Sequence, residues 1–383
     1  MTAGHGMTAG DGVRASGDPS VGPGVTAHDG RGGVLVTRLD NCGDVLLAGP
    51  TVRAAAATGR PVHLLCGPRG RAAAELLPGV TTLIEAHVPW IEPDPMPVRP
   101  EDATALVDQV RRLHVTDAAI LGSSHQSPLP LALLLRWAGV DRIAAVSHDH
   151  AGSLLDVRVP GDPDVHEVER GLLIARALGF PRPADDRLDV DLDTDETARE
   201  DTTRVEVTSD VAPPYVVVHP GASAPARTLT PDAWRDVVTA LAATQRTVVV
   251  TGGREEVWLS AFVSGDHSNV FDLGGTLTFR ELGRTIAGAD ALMTGNTGPM
   301  HLAAAVGTPV VAAFPPTVPA ERWRPWRVPH VLLGDRSVPC AGCRARRCVL
   351  DEQVCLSGIR PEDVVSAVEA LTADAPAPLG SAS

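Results

Sequence analysis

Residues 294–311, TGNTGPMHLAAAVGTPVV, join a rigid Asn-Thr-Gly-Pro turn to a short apolar run carrying one histidine. The pattern predicts a helix capped by Thr297, entered through Gly298 and Pro299, and ended by Gly307 and Pro309. Such an end offers free N–H groups and a positive dipole pole, which together hold phosphate. His301 falls on the first turn beside that anion position; its plainer account is a core histidine. In HPGASAPARTLTPDAW (219–234), the small residues Gly221, Ala222 and Ser223 let the backbone approach an anion, and Arg227 adds a fixed charge. The same letters also read as a loop in which Thr230 caps a helix from Pro231. In TGGREEV (251–257), Glu255 or Glu256 could accept from ribose hydroxyls, or merely favour a helix N-terminus. RLDNCGDVLLAGP (38–50) carries no dinucleotide fingerprint. Its Asp44 is either a helix N-cap or a general base in a cleft, and spacing alone puts the cap first.

Cys340, Cys343, Cys348 and Cys355 form a C-x2-C-x4-C-x6-C set. Four thiolates suffice for a metal, but the spacing fits no familiar zinc pattern. A structural role comes first, with zinc or a redox pair left open. Arg344, Arg346 and Arg347 nearby would lower the thiol pKa values.

These motifs need elements to aim them, and the chain supplies a repeating alternation of short apolar strands and helices. Strands are expected at 34–38, 62–66, 118–121 and 142–146, and helices at 45–58, 71–77, 103–113 and 130–137. After an acidic stretch the pattern restarts, with strands at 215–219, 247–251, 270–273, 291–293 and 310–314. The helices of this half are expected at 231–243, 254–263, 279–287 and from the 297 turn. Such alternation indicates α/β architecture with parallel sheets, whose ligands bind at strand C-termini. Every motif above falls at such an end. His125, Gln126 and Ser127 follow the 118–121 strand and are candidates for acceptor contact, a loop role being an equal reading.

The 383 residues suit two domains of roughly 150 residues each. The expected division is a disordered tail at 1–30, a domain at 31–180, a linker at 181–213 and a second domain at 214–383. Residues 181–210 hold 11 acidic residues against 4 Arg, a linker-like or exposed composition. The net charge of −14 argues against nucleic acid and against tight binding to anionic lipid. All 33 basic residues are Arg, so any anion site must use Arg, helix ends, His or hydroxyls. No run approaches the roughly 18 apolar residues of a bilayer span, and the first 30 residues lack a signal-peptide core. The cytoplasm is the default expectation, with peripheral membrane contact open.

Taken in order, four blocks resemble the ADP-heptose:lipopolysaccharide heptosyltransferases, glycosyltransferase family 9. They are VLVTRLDNCGDVLLAGPTVRA, VVVHPGASAPARTLTPDAW, TLTFRELGRTIAGADALMTGNTGPMHLAAAVGTPVVAAF and the cysteine cluster. The resemblance runs from about 34 to 370. It implies a GT-B fold, two Rossmann-like domains facing a central cleft, and inverting, metal-independent transfer of a sugar from a nucleotide-sugar such as ADP-heptose. The acceptor would be a hydroxyl of a cell-envelope glycan or a secondary metabolite. By the same resemblance Asp44 is the base, reversing the ranking from spacing, and Ser223 and Arg227 contact phosphate, Arg227 standing where the family usually has Lys. Glu255 or Glu256 falls at the ribose, Leu277 near the adenine, and Thr297, Gly298, Pro299 and His301 at the diphosphate-binding helix end. Asn296 stands where the family often has Asp against donor-sugar hydroxyls. The alternatives are a GT-B nucleotide-sugar epimerase and a non-catalytic nucleotide-sugar-binding protein.

Overall fold

The computed structural model describes residues 32–92, 95–123, 125–161, 164–193, 211 and 213–373. The 1–30 tail and most of the acidic stretch, 194–210 and 212, lie outside the described residues. The first sheet contains β1 (Gly33–Arg38), β2 (Val62–Cys66), β3 (Thr82–Glu85), β4 (Val115–Leu121), β5 (Arg142–Val146) and β6 (Val157–Val159). The second contains β7 (Tyr215–His219), β8 (Thr247–Val250), β9 (Val270–Asp272), β10 (Ala291–Gly295), β11 (Val310–Ala313) and β12 (His330–Leu333).

Every strand pair is parallel. The first sheet runs β3-β2-β1-β4-β5-β6, and the second, read from its far edge, repeats that order as β9-β8-β7-β10-β11-β12. This is the doubly wound order, whose direction reverses between its first and fourth strands. The crevices that reversal opens therefore lie beyond the C-terminal ends of β1 and β4 and of β7 and β10. The central strands read as continuous apolar runs because both faces are covered: Val34, Leu35 and Val36 of β1 and Val216, Val217 and Val218 of β7 are all fully buried. One hydrophobic cluster extends from Val34 and Leu64 of the first sheet to Leu292 and Val310 of the second. Burial shared in this way holds the two sheets together.

Several expected elements differ. The helix expected at 45–58 is two, Cys42–Leu47 and Gly49–Ala56, divided at Ala48. Pro50 has no N–H to give to Leu46, so one helix cannot run through. The helix expected at 71–77 is only Arg71–Ala74 after a single 3-10 turn. The edge strands β3, β6 and β12 and the helix Glu167–Ala177 carry no sequence prediction. The 181–193 part of the acidic stretch is held down: Leu188 is buried, and Trp326, Arg280 and Arg284 donate to the backbone of Asp186, Asp191 and Leu192.

Candidate active site

The short helix Cys42–Leu47 begins just beyond β1, and the helix Gly298–Val306 begins just beyond β10. They meet end to end. A Cβ added to Gly43 would sit 2.9 Å from His301 Cδ2 and 3.1 Å from Gly298 Cα. Glycine at 43 is what lets the two helix starts approach so closely.

Asp44 lies in the first turn of the Cys42–Leu47 helix, and the N-cap position belongs to Asn41. The N-cap reading of Asp44 is thus corrected. Its Oδ1 accepts from Arg38 Nη2 at 2.7 Å, and the side chain is 21% exposed, open to the space between the sheets. The carboxylate's field reaches Arg227, His125 and His301. The structure therefore brings together titratable side chains taken from the ends of β1, β4, β7 and β10.

On the second sheet, Thr297 occupies the N-cap position but its hydroxyl makes no cap bond; it pairs with Thr294 Oγ1 at 3.2 Å. The start of this helix is thus left without a side-chain cap, contrary to the sequence expectation. Three buried polar atoms around it have no partner among the described residues: Asn296 Nδ2, His301 Nδ1 and Arg227 Nε. Asn296 is 5% exposed and His301 4% exposed. Buried polar groups in that state are costly, and a ligand supplying acceptors would satisfy them. Gly298 and Pro299 form the first two helical positions.

Arg227 closes a 3-10 turn, Pro225–Arg227, and its carbonyl accepts from Asn296 N–H at 3.0 Å. Burial pulls the Arg227 pKa down, Asp44 opposes that, and Arg346 adds to it. Ser223 is exposed, with its carbonyl accepting from Arg346 at 3.1 Å. The sequence left Glu255 and Glu256 undivided. The structure turns Glu256 inward, where it accepts from Gly253 N–H at 2.8 Å and lies 3.9 Å from His219 Nε2. A Cβ on Gly221 would run into the Glu256 carboxylate. Glu255 is exposed, and Leu277 is half-buried against the shared core at the entrance to the Phe279–Ala287 helix.

In the β4–helix loop, His125 is exposed, and its pKa is lowered first by burial and then by Arg344. Gln126 bonds Asp40 at 2.5 Å and the Ser123 N–H at 2.9 Å, while Ser127 bonds Asp149 at 3.1 Å. These two side chains shape the loop. The cysteine segment packs beside the 221–227 loop, with Ala226 N–H donating to Arg346 O and Gln353 to Ala226 O. All four of its thiols are free, Cys355 buried and the others exposed. Among the described residues no group of three or more metal-ligating side chains comes together. Nor is any described helix long and apolar enough to cross a membrane.

Sequence reasoning missed Arg38, Glu167 and Arg322. Arg38 closes β1, which reads only as a strand end, and the other two lie far away in the chain. It also missed His166, whose Nδ1 accepts from Val168 N–H while its Nε2–H donates to Arg324 O at 3.0 Å. Burial pushes His166 and His301 both down to about 4.

In the unfolded chain the pKa of such histidines returns to about 6.5, so between pH 6.5 and 4 only the unfolded state takes up these protons. The stability they contribute is full above pH 6.5 and is lost as pH falls toward 4. Each depressed histidine accounts for about 3 kcal/mol over that window. Urea unfolding at pH 7 and pH 4.5 is expected to give a steep loss that His166→Gln/His301→Gln flattens.

Two parallel six-stranded Rossmann-like sheets of this strand order make up the GT-B fold. The profile of "Glycosyltransferase family 9 (heptosyltransferase)" matches residues 118–353, and the chain belongs to that family. It is 32% identical over 164 residues to lipopolysaccharide heptosyltransferase 3 of Escherichia coli, covering 41% of this chain and 46% of that protein. It is 32% identical over 88 residues to lipooligosaccharide heptosyltransferase 2 of Campylobacter jejuni, covering 23% and 27%. The chain thus spans less than half the length of these curated relatives. The solved E. coli ADP-heptose lps heptosyltransferase II superposes with a TM-score of 0.66 at 18% identity, over 89% of this chain and 98% of that one.

Proposed function

We propose that this protein is an inverting, metal-independent glycosyltransferase that moves a heptose from ADP-heptose to a hydroxyl of an envelope glycan or related acceptor. The observation that carries the reading is the facing pair: the Asp44 carboxylate on one side, and the unpartnered donors of Asn296, His301 and Arg227 around a helix N-terminus on the other. The relatives' names supply the heptose and the ADP.

In this reading the acceptor hydroxyl gives its proton to Asp44 as its oxygen attacks the anomeric carbon. The bond from that carbon to the diphosphate oxygen breaks on the opposite face, so configuration inverts. Negative charge grows on the departing diphosphate, where Arg227 and the helix dipole oppose it. His301, neutral near pH 7 because burial holds its pKa at about 4, serves as a hydrogen-bonding group and not as a cation. In this reading Glu256 meets the ribose and Asn296 the sugar hydroxyls. Leu277 and His125 would flank the base and the acceptor.

An epimerase is not favoured, since the matching profile and the curated relatives are heptosyltransferases. A thermal-shift series with ADP, GDP, UDP and dTDP tests the donor side. At 100 times its Kd a ligand stabilises the fold by about 2.7 kcal/mol, and ADP alone is expected to do so. A flat response to all four overturns the reading.

A further inference from the structure

A second set of buried charges stands behind Asp44. The Arg38 guanidinium is only 2% exposed, and three carboxylates converge on it. Its Nη2 donates to Asp44 Oδ1 at 2.7 Å and to Ser123 Oγ at 3.1 Å, and its Nη1 donates to Glu167 Oε2 at 3.2 Å. Its Nε lies 2.9 Å from Asp40 Oδ2 but off the hydrogen-bonding direction, so that contact is an ion pair only. Glu167, with 1% of its side chain exposed, accepts at its other oxygen from Arg322 Nη2 at 2.6 Å. Arg322 belongs to the short helix Ala320–Trp323, after β11 of the second sheet. Beside this link, His166 Nε2–H donates to Arg324 O, and its ring stacks on Trp326 at 4.4 Å.

Burying so many charges is unfavourable for stability compared with apolar packing of the same volume. An interface needing only adhesion would do better with the Leu and Val that fill the neighbouring core. Along the chain Arg322–Glu167–Arg38–Asp44 the first three side chains are almost fully buried, and the Asp44 carboxylate, 21% exposed, is the member that opens most to solvent. Arg38 occupies Oδ1, so Oδ2 is the atom left to receive a proton. A planar fork with donors along its edges can hold several carboxylates in fixed directions at once, which a lysine cannot do.

We propose that Arg38 is the positioning residue for Asp44, and that Arg322, reaching Glu167 from the second sheet, completes the clamp, so that the carboxylate is aimed only while the two halves are docked. The proposal rests on the reading of Asp44 as the base. It makes the aim of the base depend on contacts with the half that holds the donor.

The test uses the full chain with ADP-heptose and a lipopolysaccharide inner-core acceptor as probes, with ADP binding measured separately by calorimetry. Arg38→Lys is expected to lower kcat about 100-fold, the scale of a misplaced catalytic group. Arg322→Met and Glu167→Gln are expected to lower it about tenfold, with the Kd for ADP held within about twofold in all three. Methylguanidinium should restore part of the turnover of Arg38→Gly and none of that of Asp44→Asn. Normal kcat in Arg38→Lys and Arg322→Met beside an inactive Asp44→Asn overturns the clamp and leaves the base reading standing. Loss of ADP affinity in step with kcat also overturns it, since that is what a structural role alone would produce. If Asp44→Asn itself turns over normally, the base reading fails instead. Crystal structures of Arg38→Met and Arg322→Met decide the clamp without an acceptor: it predicts an Asp44 side chain that is displaced or spread over rotamers, and an unmoved one refutes it.

Discussion

Asp44→Asn is expected to lower kcat by about 10²–10⁴-fold, the usual contribution of a general base, while ADP still binds within about twofold. Asparagine keeps the shape of the side chain and an Oδ1 that Arg38 can still meet at the 2.7 Å now spanned by the ion pair. What it loses is the ability to take a proton from the acceptor hydroxyl. Arg227, Asn296, His301 and Glu256, the donor contacts of the proposed reaction, hang from the second sheet and keep their own anchors, among them the Asn296 N–H bond to Arg227 O. A fall in kcat with unchanged ADP affinity therefore separates the base from the binding residues. Steady-state kinetics and calorimetry on the same preparation check it, and near-normal turnover would remove Asp44 from that role. Donor binding without turnover by the parent protein, across many acceptors, would instead support the non-catalytic reading.

The sequence was most legible where one physical signal dominated. The strand 215–219 and the helices 231–243 and 279–287 agree with the structure to the residue. The strand is a fully buried apolar run, and each helix starts at a threonine whose side chain does cap it. The edge strands β3, β6 and β12 were invisible because a strand covered on one side keeps only a few half-buried residues. Within the site, residue type and order were readable but direction was not. Glu255 and Glu256 are equivalent in sequence, and it takes the folded Gly253 N–H and the space above Gly221 to turn Glu256 inward. Arg38 opens the motif RLDNCGDVLLAGP, two residues before Asp40 and six before Asp44. A lone charge ending an otherwise apolar strand was the signal for a buried ion pair. Its partners Glu167 and Arg322 carry no such sign, since what joins them is the docking of the halves.

The second large effect concerns the leaving group. Arg227→Met is expected to cost about 10²–10³-fold in kcat, the scale seen when one preorganised contact to developing charge is removed. The guanidinium is half-buried at the end of its 3-10 turn, with Nε lacking any partner among the described residues and Arg346 repelling it nearby. A cation partly withdrawn from water, with an unpartnered Nε and a like charge nearby that offsets part of the Asp44 attraction, is poised for an anion. The gain from meeting that anion grows as charge moves onto the diphosphate, so the loss should fall on kcat more than on KM for the donor. Arg227→Lys should retain activity within about tenfold, because a point charge at that position still opposes the same growing charge, although the fork geometry is gone. Measuring kcat and KM for ADP-heptose in the three proteins distinguishes the outcomes. Equal losses in Lys and Met would mean that the shape of the guanidinium matters and not its charge, and no loss in Met would place the diphosphate elsewhere.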